Sequence, residues 1–244
     1  MTAAYPPPTG AARSRWPRRL VIALVALIVL LVTADRVSLV VAEHVAASTI
    51  QKSQNLAEKP DVSVDGFPFL TQLASGNYDH ITVTAHNVEV GPQVRQLRVS
   101  ALIVNLHGVT ITNNFHTVRA KQATATAVIS YADLSSTLGA TITFAGAGRV
   151  QGSAGATIAG VPLQGTISAL PKISSSGDLA FTDTKATVAG SAVPPELNAV
   201  LSALFSQPIP LAGLPFGLHF AGLVADKNSI RVLMTGSNLA YTRS

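Results

Sequence analysis

The feature that most constrains this chain is an apolar run near its N-terminus. Residues 20–34, LVIALVALIVLLVTA, carry no charge, and residues 1–19 carry four arginines and no acidic side chain. A basic, Pro-rich cytoplasmic segment followed by an apolar one is typical of a signal peptide or a signal-anchor helix. Fifteen residues are short against the roughly 20 that span a bilayer, so cleavage near Ala34 and retention as an anchor both remain open. In either case we expect residues 35–244 to form one extracytoplasmic domain.

The charge of this exported part excludes nucleic-acid binding. The whole chain has a formal net charge of +5, but residues 35–244 hold 13 Lys and Arg against 12 Asp and Glu. A nucleic-acid-binding domain carries its positive charge in the folded part. The chain also has no cysteine, which excludes a lipidated-cysteine anchor, thiolate zinc sites and thiol nucleophiles.

Helical periodicity follows directly after the apolar run. The spacing predicts a helix over Asp35–Leu56, ended by Lys59-Pro60, because proline disfavours helix at the residue before it. One stripe of this helix is rich in small and apolar side chains, and we expect it to pack closely against a sheet. Its members are Val37, Val40, Val41, His44, Val45, Ser48 and Thr49.

Three further helices are predicted from local signals. Phe69–Leu73 is long enough for one helical turn. Ser130 begins an S-x-x-D capping box, and Gly139 ends the short helix that follows. Pro195, at the first helical position, begins a short amphipathic helix near the C-terminus. The apolar stripe of that helix comprises Leu197, Val200, Leu201 and Leu204.

Alternating patterns between these helices predict many strands. Thr, Val, Ala and Gly dominate them, and small side chains suit a strongly curved sheet with close strand contact. We therefore predict an α+β domain with a long antiparallel sheet. The predicted strands are 61–64, a strand from 78 to the break at Gly91-Pro92, 94–106, 118–129, 141–144, 148–153, 156–158, 161–167, 178–188, and two strands around the turn at 226–228.

Signatures of catalysis and of metal or cofactor binding are missing from the sequence. None of the common nucleophile, zinc-protease, phosphate-loop or dinucleotide motifs occurs. The six histidines are scattered, and His80 and His86 lie about 20 Å apart if they share one strand at roughly 3.3 Å per residue. We expect no enzyme, no metal and no cofactor, with an enzyme of unrecognised type as the remaining alternative.

Four of the eight phenylalanines lie on or beside Pro-marked turns, in GFPFLTQL and in LPFGL. Pro-flanked segments lie at edges and rims, whereas phenylalanine normally goes to the core. Two interpretations follow. These segments line an apolar groove that holds a lipid tail, or they close the end of an ordinary packed core. The residues concerned are Phe67, Phe69, Leu70, Leu73, Phe216, Leu218 and Phe220.

A local excess of positive charge accompanies these apolar segments. Residues 91–176 contain six Lys or Arg and a single acid. If the strands that carry four of the basic residues are neighbours, their charges would attract an anionic headgroup or a membrane surface. The alternative is that each charge protects a sheet edge from pairing. The four residues are Arg95, Arg98, Arg119 and Lys121.

Three segments together resemble a known family. They read DVSVDGFPFLTQLASGNYDHITVTAHNV, VISYADL and IPLAGLPFGLHF, and they occur in this order. The chain is similar over residues 36–241 to the LmeA-like phospholipid-binding family of actinobacterial cell-envelope proteins.

The resemblance implies a fold and a function. The implied fold is tubular lipid-binding-like, with a strongly curved antiparallel sheet wrapped around a long helix and an apolar groove between them. The implied function is non-enzymatic binding of phospholipid, including phosphatidylinositol-type lipids, in support of envelope glycolipid or mannan synthesis. We therefore expect a phospholipid ligand and the cytoplasmic membrane surface as partners. The alternative is a structural or protein-interaction envelope domain with a fully packed core.

Overall fold

A computed structural model describes residues 16–92, 96–112, 117–158, 160–188, 193–211 and 218–242. These residues form an α+β fold with a long N-terminal helix and two antiparallel sheets. In chain order the elements are α1 (Trp16–Ser53), β1 (Asp61–Asp65), α2 (Phe69–Ser75), β2 (Asn77–Val90), β3 (Leu97–Thr112), β4 (Thr117–Ser130), α3 (Tyr131–Leu138), β5 (Thr141–Gly146), β6 (Arg149–Ile158), β7 (Val161–Ile173), β8 (Leu179–Thr187), α4 (Pro195–Ser206), β9 (His219–Ala225) and β10 (Ser229–Thr242).

Helix α1 is longer than predicted at its start and shorter at its end. It runs unbroken from the apolar segment into the domain and stops at Ser53 rather than at the predicted Leu56. Asn55 adopts a left-handed conformation (φ 50°), and the Leu56 N–H donates to the Gln51 carbonyl at 2.9 Å. Asparagine tolerates this conformation, so a Schellman-type cap ends the helix before the proline is reached.

The predicted packing face of α1 is wrong. The valines of the predicted stripe are exposed, whereas Asp35 and Ala47 are buried and Leu39 and Ala42 pack against the core. The sequence pattern does not indicate the inward stripe, because carboxylates interrupt its apolar residues. Asp35 and Glu43 lie on this side of α1 and accept backbone N–H groups from Leu70 and Val64, each at 2.8 Å.

The larger sheet has six strands in the order β1-β2-β3-β4-β10-β9 and is open, with β1 and β9 at its edges. Strand β3 continues past its predicted end to Thr112: its pairing with β2 and β4 skips Gly108, which takes a left-handed conformation (φ 58°), and resumes in the same register. The alanines at 123, 125 and 127 of β4 are all buried. Small side chains there allow tight packing over the middle of the sheet.

The smaller sheet has four strands in the order β5-β6-β7-β8, and α4 packs on it. Two glycines permit this contact. A Cβ on Gly165 would lie 2.9 Å from Leu201 Cδ1, and one on Gly152 would lie 3.2 Å from Leu204 Cδ1. These separations are too short for ordinary carbon contacts, so α4 sits against bare backbone.

Local signals predicted the shorter helices correctly. Ser130 caps α3 by accepting the Asp133 N–H at 3.0 Å, and Gly139 ends the helix in the left-handed conformation. Helix α2 begins at Phe69 and α4 at Pro195, as expected. The sequence predicted one long sheet, but the structure has two sheets, which approach each other where β7 contacts β9.

Candidate functional site

An open groove of about 670 Å³ lies where the two sheets meet. Three segments line it: the end of β7 (Pro171–Ile173), the turn that follows (Ser174–Gly177), and residues Leu218–Leu223 of β9 and its approach. Its volume is within the roughly 300–1,000 Å³ range of small-molecule sites. The groove therefore has the size of a ligand site and is built by residues from both sheets.

The β9 wall is held in place by the hairpin that joins β9 to β10. The Tyr131 hydroxyl donates to the Asp226 carbonyl at 2.5 Å, which ties the hairpin to α3. Asp226 Oδ1 accepts the N–H groups of Asn228 and Ser229, and its Oδ2 lies 2.9 Å from Arg231 Nη2. The edge strand is thus fixed at its hairpin end by hydrogen bonds that do not involve the groove.

These contacts shift the pKa values of two groups at the hairpin. Burial, followed by the negative charge of Asp226, raises the pKa of Tyr131 to about 12. The Asn228 and Ser229 N–H groups, with the Arg231 guanidinium, lower the pKa of Asp226. The neutral phenol and the ionised carboxylate are therefore the forms that the fold stabilises.

Two glycines and one irregularity shape the apolar wall. A Cβ on Gly177 would lie 3.0 Å from Phe220 Cε2, and one on Gly236 would lie 2.8 Å from Leu218 Cδ2. The register between β9 and β10 shifts where Leu233 and Met234 pair with Gly222 and Phe220, which leaves one residue of β9 unpaired. Bulges of this kind re-aim side chains near functional sites.

The groove has an apolar wall and a polar rim. Ile173, Leu218 and Leu223 are half-buried and Phe220 is 36% exposed, so each keeps apolar surface that a ligand can cover. On the rim, the Ser174 and Ser176 hydroxyl oxygens lie 2.8 Å apart. The rim also includes the Lys172 ammonium group and the imidazole ring of His219.

The rim turn is fixed by its own hydrogen bonds. The Ser176 hydroxyl donates to Asp178 Oδ2 at 2.7 Å, and the Asp178 N–H donates to Ser174 Oγ at 3.1 Å. The Gly177 N–H donates to the Ser174 carbonyl at 3.0 Å. An amphiphile with a hydrocarbon tail and a polar head matches this arrangement of apolar wall and hydroxyl-rich rim.

The predicted tail-binding residues are divided between two places. Leu218 and Phe220 line the groove, and Phe216 lies outside the described residues. The other four lie on α2 or just before it, beside β2, and three strands separate β2 from β9 in the sheet. Leu218 and Phe220 therefore do not lie next to the α2 segment along the sheet.

Within the α2 segment the four residues have different surroundings. Phe69 is 1% exposed and its ring centroid lies 6.4 Å from that of Tyr78, so it belongs to the core. Phe67 is 65% exposed, while Leu70 and Leu73 are exposed to 37% and 40%. The alternative in which this turn closes the core fits Phe69 and does not fit the other three.

Among the described residues of the predicted basic cluster, Arg98 does not lie beside Arg119 and Lys121. Strands β3 and β4 are indeed neighbours, but they are antiparallel, and residues near their starts lie at opposite ends. Arg119 pairs with Thr110, so along β3 it is about 40 Å from Arg98 at roughly 3.3 Å per residue. Arg98 pairs with Glu89 across β2 and β3, Arg119 and Lys121 stay together on β4, and Arg95 lies outside the described residues.

Two histidines form a contact that the sequence did not suggest. The rings of His80 and His107 stack with centroids 4.3 Å apart, and His80 Nδ1 lies 2.7 Å from Asp65 Oδ2. In the part of the chain that the structure describes, no three His, Asp or Glu side chains converge to hold a metal ion.

Comparison with known proteins adds the decisive observation. The family model for LmeA-like phospholipid-binding proteins matches residues 33–235. The chain belongs to the LmeA-like phospholipid-binding family. Comparison with curated proteins and with solved structures gives no match. Membership in a lipid-binding family, rather than an enzyme family, supports lipid binding as the activity of this domain.

Sequence reasoning missed the second wall of this site. Lys172 was counted only as part of the local charge, and the Ser174–Gly177 turn and His219 were not singled out. The run ISSSGD, after an apolar strand, was the available signal. The contact between this turn and β9 could not be predicted from the sequence, because the two segments are about 40 residues apart and adjoin different sheets.

Proposed function

We propose that this protein binds a phospholipid without enzymatic chemistry and carries or chaperones it in the cell envelope. The observation that supports this proposal is a groove with an apolar wall and a polar rim in a member of a phospholipid-binding family. Eight methylene groups buried against Ile173, Leu218, Phe220 and Leu223 would contribute about 6 kcal/mol at about 0.8 kcal/mol each. This contribution, counted relative to an acyl chain in water, would offset the exposure of the chain to water once the lipid has left a bilayer.

We infer an anionic headgroup, of the phosphatidylinositol type, from the chemistry of the rim. Lys172 and His219 can face a phosphate, and the hydroxyls of Ser174 and Ser176 can exchange hydrogen bonds with a sugar-like ring. The role in envelope glycolipid or mannan assembly follows from the family resemblance. Arg98, Arg119 and Lys121 remain predicted contacts to a membrane surface, at two separate ends of the large sheet.

We also propose that residues 20–34 direct export and, unless cleaved near Ala34, anchor the domain at the outer face of the cytoplasmic membrane. Helix α1 is the one described helix that is long and apolar enough to cross a membrane. The tubular wrap of the sheet around this helix stays a prediction. In the structure α1 contacts β1 and α2 at one edge of the sheet.

Photo-cross-linking tests the groove directly. The full chain in nanodiscs is exposed to phosphatidylinositol that carries a diazirine in its acyl chain, and cross-linked peptides are identified by mass spectrometry. We expect adducts on 171–177 and 218–223 in addition to adducts on residues 20–34 from bilayer lipid. Adducts confined to residues 20–34 would refute the groove and favour the alternative of a structural or protein-interaction domain.

The headgroup proposal has its own control. Lys172→Gln should reduce the preference for phosphatidylinositol over phosphatidylcholine in the same cross-linking assay. Lys227→Gln removes another exposed charge, from the β9–β10 turn outside the groove, and should leave the preference unchanged. Equal behaviour of the two variants would remove Lys172 from the headgroup site.

A further inference from the structure

Helix α1 fixes the position of α2 relative to the apolar segment. The Leu70 N–H donates to Asp35 Oδ1 at 2.8 Å, and the Arg36 guanidinium carbon lies 5.2 Å from the centroid of the Phe67 ring. Asp35 and Arg36 are the first two residues after residues 20–34, and α1 continues without a break from that segment through both of them. If residues 20–34 lie in a bilayer, α2 is therefore held at the bilayer surface.

Asp35 takes the place of a missing helix cap. The residue before α2 is Pro68, which makes no side-chain capping hydrogen bond. An uncapped helix start leaves N–H groups that need acceptors, and the carboxylate of Asp35, 3% exposed, accepts one of them from α1. Its second oxygen lies 2.7 Å from Arg36 Nη2. The first acidic side chain after the apolar segment is therefore buried against α2 and does not lie on the exposed side of α1.

The outward side of α1 stays apolar beyond the charge-free run. Val37, Val40 and Val41 are exposed to 59%, 64% and 57%. The charge-free run alone is about 22 Å long at roughly 1.5 Å per residue, which is short of a hydrocarbon core of about 30 Å. Extended to Val41, the apolar side of the helix reaches about 33 Å. If Val41 marks the outer boundary of the hydrocarbon core, Asp35 and Arg36 lie about 9 Å inside that boundary.

Exposed apolar side chains are concentrated at this level of the domain. Phe67, Leu70 and Leu73, which we call the membrane foot, are all exposed on α2 or just before it. Isolated exposed leucines need no explanation, but a group of them marks an interaction surface. Interfacial helices bury their apolar face about 5–10 Å into the boundary between headgroups and acyl chains, which is of the same order as the depth set by α1.

We propose that the membrane foot inserts into the outer leaflet of the bilayer beside α1. The occupant of this surface is lipid, because the foot is fixed to the start of the domain where the apolar helix emerges. Arg36 lies over the Phe67 ring and is 45% exposed, a position from which a guanidinium can reach lipid phosphates while its stem stays in apolar surroundings. The proposal rests on the membrane anchoring proposed above and not on the groove.

Depth-dependent fluorescence quenching tests the insertion. The only tryptophan of the full chain is removed as Trp16→Phe, and a single tryptophan is then introduced as Phe67→Trp or, for comparison, as Val200→Trp on α4. Val200 is 41% exposed and lies on the smaller sheet's helix, away from α1. Both chains are reconstituted in phosphatidylcholine–phosphatidylglycerol vesicles with brominated acyl chains. We expect emission to fall about twofold for Phe67→Trp because the foot inserts, and to stay unchanged for Val200→Trp.

Two further readouts separate the possible failures. Resistance to alkaline carbonate extraction reports the anchor, and cross-linking in the groove reports the carried lipid. Carbonate resistance without quenching at position 67 would overturn the membrane foot and leave the anchor intact. Quenching in a chain that carbonate extracts would refute the anchor and, with it, insertion of the foot beside a membrane-spanning α1. A disulfide-linked dimer of Leu73→Cys chains, without quenching at 67, would assign the surface to a second copy and overturn the proposal.

Discussion

Truncation of Phe220 offers the sharpest quantitative test of the groove. The ring is 36% exposed and lies on the groove wall, against the backbone of Gly177. Full burial of a phenylalanine side chain is worth about 1.5–3 kcal/mol, and only the exposed third is left for a ligand to cover. Phe220→Ala should therefore cost about 0.5–1 kcal/mol of binding free energy, which is about a 2- to 5-fold rise in Kd.

The assay is a titration of the full chain in nanodiscs with diazirine-bearing phosphatidylinositol, followed as cross-linking to 171–177. Val224→Ala is the matched control, since Val224 is 43% exposed on the same strand and does not line the groove. Phe220→Asp should weaken binding by at least about tenfold, because a carboxylate must lose water to an acyl chain.

The reasoning fails if Phe220→Ala and Val224→Ala bind lipid equally while both keep the thermal midpoint of the parent. That result would mean that acyl chains do not cover the exposed third of the ring. A drop in thermal midpoint for Phe220→Ala alone would show instead that the ring holds the Gly177 turn in place. The cross-linking is then repeated well below the lowered midpoint, where the predicted Kd ratio applies to folded protein.

Three further outcomes test the fold around the site. Gly165→Ala places a Cβ 2.9 Å from a methyl of α4 and should lower the free energy of unfolding by about 1–3 kcal/mol in chemical denaturation; an unchanged value would mean that α4 moves freely. Gly76→Ala strains a residue at φ 67° and places a Cβ 2.7 Å from the Ile111 carbonyl oxygen, so helix content and thermal midpoint should both fall. The raised pKa of Tyr131, about 12 against an ordinary 10, stabilises the fold below pH 10, and this contribution is lost as pH rises from about 10 to 12. Tyr131→Phe should remove that part of the pH dependence of stability. An identical alkaline profile would contradict the raised pKa that burial, followed by the charge of Asp226, gives the phenol.

Local chemistry made part of this fold predictable from the sequence. The cap at Ser130, the stop at Gly139 and the proline start of α4 all depend on residues within one helical turn, and all were predicted correctly. The orientation of α1 was not predictable in this way. Both of its stripes are weakly apolar, and the carboxylates of the inward one accept backbone N–H groups of β1 and α2, which helical periodicity does not reveal.

The prediction that Arg98 and Arg119 lie together was wrong for a reason that strand order along the sequence already implies. Consecutive strands joined by a short connection are antiparallel, so residues near the starts of both lie at opposite ends of the pair. Arg98 and Arg119 occupy such positions on β3 and β4. Half of the groove was predictable, because Leu218 and Phe220 stand out beside a Pro-marked turn. The serine turn opposite them was not, because its position depends on how the second sheet meets the first.

The separation of the two Phe-rich segments argues for two functions rather than one channel. From Phe220 the paired positions across the sheet are Met234, Ala125, Val104 and Val83. Met234, Ala125 and Val104 are all buried, so the sheet between the segments is closed by side chains. A lipid tail that lies against Phe220 cannot extend along this row to the α2 edge without displacing that packing. This separation supports our proposals that Leu218 and Phe220 contact the bound lipid and that the α2 segment contacts the bilayer. The two proposals together predict that Leu70→Asp lowers bilayer quenching at position 67 and leaves cross-linking to 171–177 unchanged.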